Sequence, residues 1–544
     1  MIRLRLPRSL SPARRRAGRR LRRAAGALAV AAATALSWPV PAVRADGPER
    51  VTVRPVVIPG QGGVPLRGSA AEPGTPGSHP LVVFVRSWLV DESFFRRSQL
   101  ALARRGYTVV LYAARGHGGS GGRSDLTGPL DQADVSRVID WSLAHTTADA
   151  RRIGTLGLSY GGALSLLGAA ADARVSAAAA LSGWTDTREV LWSNGTPLPP
   201  GLGYALTGAV RGASDDRGGP LRDVMAQDAR RLEAWAAPRS AVTYLDRYNR
   251  RGTALFIAQA WGDSYTPLGS KGEFFDRLRG PKRMEIRPGD HVGAELGGAV
   301  LPNEVWESAF RWLDHALRGV PNGVDAEPPL LVKPVNSGPL FGAARPFEGY
   351  PSWAAMTRTT RRLHLGAGGA LTDVPGAAAR TRLTAGFGTV ADSGVIAVQR
   401  FLESVAGAQV PRPLALVPRG TGAVWASERP DAPWPVRGTP RVRLTVTPSA
   451  ARGTLVVYLL DVDRLGMGRL MTWAPYTFDG QVPGRAFTAG FPLRPTAYDL
   501  PAGHRVGLVI GTTDSQVLSR NRPLAPVEVS SSADSPSWVD VPLR

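Results

Sequence analysis

The segment Ile153-Gly-Thr-Leu-Gly157-Leu-Ser159-Tyr-Gly161-Gly162 places a serine two positions from a glycine on each side. An apolar run precedes it, and the small-residue run Gly162-Ala-Leu-Ser-Leu-Leu167 follows. Read as strand, tight turn and helix, the segment lifts Ser159 out of a sheet on a strained corner. The flanking glycines let neighbouring chain pass close by. The same turn aims the N–H of Tyr160 at the place where an oxyanion forms when a serine attacks a carbonyl. G-x-S-x-G alone occurs by chance, and a glycine turn with a solvated Ser159 is the bland alternative. The strand before and the helix after favour a nucleophile.

A serine hydroxyl needs a base, and the base needs a group that fixes its tautomer. After a strand–elbow–helix of this kind the partners come in the order acid, then histidine. Seven histidines are available. His79, His117 and His145 precede Ser159, His315 lies inside a helical pattern beside Asp314, and His364 and His504 belong to a later, strand-rich region. His291 remains, in Ile286-Arg-Pro-Gly-Asp290-His291, a loop at the C-terminal end of a strand, where ligands meet parallel sheets. For the acid, Ala254-Leu-Phe-Ile-Ala-Gln-Ala-Trp261-Gly262-Asp263 repeats the pattern of buried strand followed by an acidic turn. Asp263 is the expected partner of His291. Asp290, adjacent in sequence, and Asp186, after the preceding strand, are its rivals.

These residues need a sheet to hold them, and the surrounding pattern supplies one. Val51–Ile58 and Val64–Ala71 read as strands about a Gly60-Gln-Gly-Gly63 turn. The wholly apolar run Leu81–Val85 reads as a strand buried on both faces, and Tyr107–Tyr112, Ile153–Leu158, Val175–Leu181, Ala254–Ala258 and Lys282–Ile286, the last of the series, read as further strands. Helices are expected at Ser93–Arg105, Leu130–His145, from Gly161, and at Asn303–Leu317. Such alternation means a parallel sheet covered on both sides, an α/β fold. Residues 185–251 exceed any simple crossover and read as an inserted helical lid that shapes the substrate pocket. Residues 321–350 read as a Pro/Gly-rich linker. Beyond it come short alternating strands such as Arg361–Leu365, Val442–Val446, Thr454–Leu460 and Arg505–Ile510, expected to form an all-β sandwich over 351–544. The hydrolytic core then spans 46–320.

The net charge of +22 invites a nucleic-acid partner, but eleven arginines fall within residues 1–45, which hold no acid. Without that segment the charge falls to +11 and is dispersed, so no nucleic-acid partner is expected. Residues 1–45 show the n, h and c regions of a cleavable secretory signal, ending in Val43-Arg-Ala45. A membrane anchor and an organellar presequence are the alternatives. The apolar run is shorter than the roughly 20 residues that span a bilayer, so secretion without membrane insertion is expected, by the Sec or the twin-arginine route. The chain has no cysteine, which removes disulfides, thiolate metal sites and a lipoprotein anchor. No metal or organic cofactor is expected.

Three further stretches carry a resemblance: Arg115-Gly-His-Gly-Gly-Ser120, Thr454–Asp461, and Ala502-Gly-His504-Arg505-Val-Gly-Leu-Val-Ile510 followed by Arg520-Asn521-Arg-Pro523. With Ser159, Asp263 and His291, these make the chain resemble the cocaine esterase/X-prolyl dipeptidyl-peptidase (CocE/NonD) family of serine hydrolases. The resemblance implies an α/β-hydrolase core, a helical cap, a C-terminal jelly roll, and an ester, amide or short-peptide substrate. It departs at one place. The family commonly supplies an oxyanion-hole tyrosine from the loop after the first central strand, and here that loop reads Arg86-Ser-Trp88-Leu-Val-Asp91-Glu92. The Trp88 indole N–H, or a backbone N–H of Trp88 or Leu89, could donate instead, or Trp88 could simply wall the pocket. Esterase or acylase activity competes with X-prolyl dipeptidyl-peptidase activity, in which Asp91 or Glu92 would hold the substrate ammonium. Both acids could equally be plain helix N-terminal residues. A third reading is an idle hydrolase core whose tryptophans (353, 425, 434, 473 and 538) stack on a glycan.

Overall fold

Ten strands form one sheet, in the spatial order 51–59, 65–73, 108–112, 79–85, 148–158, 175–181, 254–260, 282–287, 330–332 and 348–350. The computed structural model describes residues 50–544 except 89, 212–218, 227, 297–302, 338–344 and 395–408. The expected signal segment and Leu89 lie outside the described residues.

The antiparallel pair β1 (Val51–Pro59) and β2 (Pro65–Pro73) opens the sheet. The central strands β3 (His79–Val85), β4 (Thr108–Tyr112), β5 (Ala148–Leu158), β6 (Val175–Leu181), β9 (Ala254–Ala260) and β10 (Lys282–Arg287) run parallel. In β3 the side chains divide by period two. Leu81, Val83 and Val85 enter one apolar core, while Val82 and Phe84 enter the core on the other face. Helices cover both faces, which is why β3, β4 and β9 are buried along their whole length.

The helices are α1 (Glu92–Arg104), α2 (Pro129–His145), α3 (Tyr160–Ala171) and, after the lid, α9 (Lys271–Arg277), α10 (Gly293–Leu296) and α11 (Glu304–Arg318). Asn303 caps α11 by accepting from Val305 N and Trp306 N, and Gly319 ends it at φ 65°. Between β6 and β9 the lid contributes α4 (Thr187–Leu191), the short pair β7 (Trp192–Ser193) and β8 (Thr196–Pro197), α5 (Pro199–Arg211), α6 (Gly219–Ala226), α7 (Ala229–Ala236) and α8 (Leu245–Arg251).

Two expectations need correction. Lys282–Ile286 is not the last strand, and residues 321–350 are more than a linker. Leu330–Val332 (β11) adds in parallel to β10, and Glu348–Tyr350 (β12) pairs antiparallel with it. Three-residue strands flanked by prolines carry no readable period, so the sheet's last edge was invisible in the sequence.

Among the described residues from Thr359 onward the strands are almost wholly antiparallel, with Ala370–Thr372 against Ala423–Ser427 the one parallel strand pair. Gly453–Val462 is buried along its whole length. Leu455, Val457 and Leu459 enter the main β core. Val456, Tyr458 and Leu460 face a second cluster that includes Leu198 of the lid. The signature residues of this region brace that strand. His504 Nδ1 lies 2.7 Å from Asp461 Oδ1, and Asn521 accepts from Thr454 N while donating to the carbonyls of Thr454 and Thr512.

The lid is held from the β side. Asn194 donates to the carbonyls of Pro475 and Pro492, and Arg520 donates to Met225 O. Arg50–Arg544 accordingly form one compact unit. Among the described residues no helix is long and apolar enough to cross a membrane.

Candidate active site

β5 ends at Leu158, and the chain turns into α3 through Ser159, whose backbone sits at φ 56°, ψ −115°. A non-glycine residue there is strained, and only over-determined surroundings hold it. The surroundings are tight. A Cβ on Gly161 would stand 2.1 Å from Val85 O, and one on Gly157 would stand 2.2 Å from Gly161 C. Both neighbours are backbone and cannot swing aside. Ser159 N donates to Leu181 O at 2.7 Å, tying the corner to β6. Tyr160 opens α3, so its N–H has no acceptor within the helix.

The structure brings the three sequence-selected residues together. Ser159 Oγ lies 2.9 Å from His291 Nε2, and His291 Nδ1 lies 3.0 Å from both carboxylate oxygens of Asp263. An ionised carboxylate only accepts, so Nδ1 carries the proton and Nε2 is left to accept from the serine hydroxyl. Asp263 is fully buried at 0% exposure, and burial works against its charge. His291 and Lys271, with Thr266 N–H, outweigh that and hold its pKa below the ordinary carboxylate value. Its oxygens accept from Tyr265 N, Thr266 N, Thr266 Oγ1 and Gln259 Nε2 at 2.6–3.0 Å. For His291 too, burial opposes charge, but the Asp263 carboxylate prevails and raises the imidazole above its ordinary pKa.

The rival acids are engaged elsewhere. Asp290 accepts from the backbone N–H groups of Ser264 and His291, so it shapes the loop rather than meeting the ring. Asp186 caps α4 and binds the Arg188 guanidinium.

On the other side of Ser159, the Trp88 ring stacks on Tyr160 (centroids 6.2 Å apart) and meets His117 and Tyr204 edge-on. These are the contacts of a pocket wall. A cavity of about 270 Å³ opens there, lined by Arg86, Trp88, Val90, Asp91, His117 and Tyr160 among others. Asp91 caps α1 by accepting from Ser93 N, and Glu92 pairs with Arg96 at 2.6 Å. Both acids thus carry structural partners.

The five tryptophans form no open stacking face. Trp425 and Trp473 are buried, Trp353 lies against Gly272, and Arg361 and Arg362 cover the rings of Trp434 and Trp538. Among the described residues no group of three or more His, Asp and Glu side chains is arranged to hold a metal ion.

The sequence reading missed two buried charges near the imidazole. Lys271 (1% exposed) donates to the carbonyls of Thr266 and Pro267 and so braces the Asp263 turn; burial lowers its pKa. Glu295, on α10, accepts from Ser182 Oγ at 2.6 Å, and burial raises its pKa. Glu295 follows His291 by four residues, a spacing that could have drawn notice. Nothing in the sequence marks Lys271.

Residues 62–293 match the family model of the X-Pro dipeptidyl-peptidase (S15 family), and residues 322–535 match the X-Pro dipeptidyl-peptidase C-terminal non-catalytic domain. Solved structures of similar fold include an aminopeptidase from a marine-sediment Thaumarchaeota archaeon, with TM-score 0.70 and 18% identity over 92% of this chain and 99% of that one. An α-amino acid ester hydrolase has TM-score 0.69 and 16% identity, covering 93% of this chain and 98% of its own. A CocE/NonD family hydrolase from Staphylococcus aureus has TM-score 0.67 and 13% identity, covering 90% and 97%. No curated protein matches the chain. With both family models matched in order along one chain, the protein belongs to the CocE/NonD and X-Pro dipeptidyl-peptidase family and is a serine hydrolase of ester or peptide bonds.

Proposed function

We propose that the protein is an exported hydrolase that cleaves an ester or amide through an acyl-enzyme on Ser159. The observation that carries this reading is the unbroken line from Ser159 Oγ through His291 to Asp263 on a strained elbow. His291 Nε2 takes the serine proton as Oγ attacks the carbonyl carbon. The resulting oxyanion faces Tyr160 N–H and a second donor from the loop at Trp88. The imidazolium, held by Asp263, then protonates the leaving oxygen or nitrogen, and the acyl group stays on Ser159. Water enters, gives its proton to His291, and releases the acid as the serine regains its hydrogen. Export rests on residues 1–45.

The match to the X-Pro dipeptidyl-peptidase model carries a second reading, an exopeptidase. Against it, Asp91 and Glu92, the acids nearest the pocket loop, already serve as a helix cap and an ion-pair partner. Two experiments decide. A fluorophosphonate probe labels the wild type and leaves Ser159→Ala unlabelled; equal labelling would overturn the nucleophile. Short-chain nitrophenyl esters are cleaved faster than Ala-Pro or Gly-Pro anilides; the reverse order would establish the exopeptidase.

A further inference from the structure

The turn 125–128 joins α2, the elbow and the lid, and no step proposed above uses it. Leu126 (φ 53°) and Thr127 (φ 60°) both sit in the left-handed region, which a β-branched residue such as threonine rarely adopts. Both are buried. What holds them there is a set of contacts that converge from two sides.

From below, Thr127 N donates to Asp131 Oδ2 at 2.8 Å and to Tyr160 Oη at 2.9 Å. Tyr160 Oη itself donates to Asp131 Oδ2 at 2.7 Å. Asp131 and Tyr160 are wholly buried. The other carboxyl oxygen of Asp131 is buried without a hydrogen-bond partner. Burial pushes this carboxyl up to about 7. The polar and charged groups around it are Tyr112, Arg115, Asp125, Asp134, Tyr160 and Tyr204.

From above, the lid closes onto the same turn. Tyr204 of α5 donates to Leu126 O at 2.7 Å. Arg239 pairs with Asp125 at 3.0 Å, and Gln132 bridges Thr127 O and Pro238 O at 2.9 and 2.7 Å. A lid that shifts must therefore pull on Leu126 and Thr127, and these are bonded to the side chain of the residue that follows Ser159.

We infer that Asp131 and the Tyr160 hydroxyl are positioning groups: through the strained 125–128 turn they fix the Tyr160 N–H at the oxyanion position and tie that position to the docking of the lid. The inference rests on Ser159 being the nucleophile. It explains why two non-glycine residues are kept in a costly conformation beside a half-satisfied buried carboxyl, since strain of this kind persists where the structure uses it.

The test uses the full mature protein and a short nitrophenyl ester, with active sites counted by fluorophosphonate. Tyr160→Phe keeps the backbone N–H and the ring and removes only the hydroxyl. Asp131→Asn keeps the shape and removes the acid. Each is expected to lower kcat per labelled site about ten- to a hundredfold, the scale of a misplaced oxyanion donor, with KM within about twofold. The double variant is expected to be no worse than the poorer single one. Asp131→Asn also removes one ionisation near neutrality from the kcat–pH profile. Tyr204→Phe acts in the same direction more weakly, about threefold, by way of the lid.

Wild-type kcat per labelled site in Tyr160→Phe, whatever the fall in Tm, would reduce the turn to a stability element and overturn the inference. Should Asp131→Asn fail to fold, Tyr160→Phe alone decides. Wild type that does not label on Ser159 would instead bring down the parent reading, and this one with it.

Discussion

Replacing Asp263 with asparagine separates the proposed orienting acid from its sequence neighbour Asp290. The imidazolium formed during attack lies 3.0 Å from the Asp263 oxygens. At an effective dielectric of about 20, two unit charges at that distance attract by roughly 5.5 kcal/mol. Asparagine removes the charge and also disturbs the donors around it. Tyr265 N, Thr266 N, Thr266 Oγ1 and Gln259 Nε2 all point at the carboxylate. Whichever way the amide turns, its NH2 meets a group that was donating, and it offers Nδ1 a choice between two tautomers. At about 1.36 kcal/mol per factor of ten, the electrostatic part alone lowers kcat/KM about 10⁴-fold. The assay is ester hydrolysis across pH, normalised to fluorophosphonate-labelled sites, for Asp263→Asn beside Asp290→Asn. Asp290 accepts from the backbone N–H groups of Ser264 and His291 rather than from the imidazole ring, and its asparagine variant stays within about tenfold of wild type. An Asp263→Asn enzyme within tenfold of wild type, or an Asp290→Asn enzyme equally crippled, would refute the reasoning.

The raised pKa of His291 sets the acid side of the pH profile. The base works only when neutral, so kcat/KM climbs with pH through a value above 6.5 and levels off beyond it; a midpoint below 6.5 would contradict this. Glu295→Gln removes a negative charge that favours the imidazolium, so the midpoint moves to lower pH. Lys271→Met removes a positive charge beside Asp263, so the midpoint moves up; the same direction in both variants would sink the electrostatic account. Gly161→Ala puts a carbon 2.1 Å from Val85 O, so it costs more than about 4 kcal/mol and yields little folded protein, read as soluble yield and Tm.

What the sequence disclosed was what is local along the chain. Ser159 was legible because strand, elbow and helix fall within some twenty residues. Asp263 and His291 were legible because each sits in a turn just past a strand; chain order removed His79, His117 and His145, and their helical or later strand-rich surroundings removed His315, His364 and His504. The edge strands β11 and β12 were not legible, being three residues each. Lys271 escaped because its importance lies in having no water around it, which no residue type announces.

The same distinction bears on where the proposed function places specificity. Asp131, Tyr160 and Tyr204 meet across a turn whose two non-glycine left-handed residues follow no sequence rule. Tyr204 reaches that turn only because the lid folds back over it. The reacting atoms sit on short, rigid segments fixed by backbone clashes, so they leave little room for variation. Under the proposed function, substrate choice falls to Trp88, on a loop that lines the cavity beside Tyr160, and to Tyr204, on the lid. Sequence patterns therefore reach the chemistry before they reach the substrate, and the docking of the lid is what connects the two.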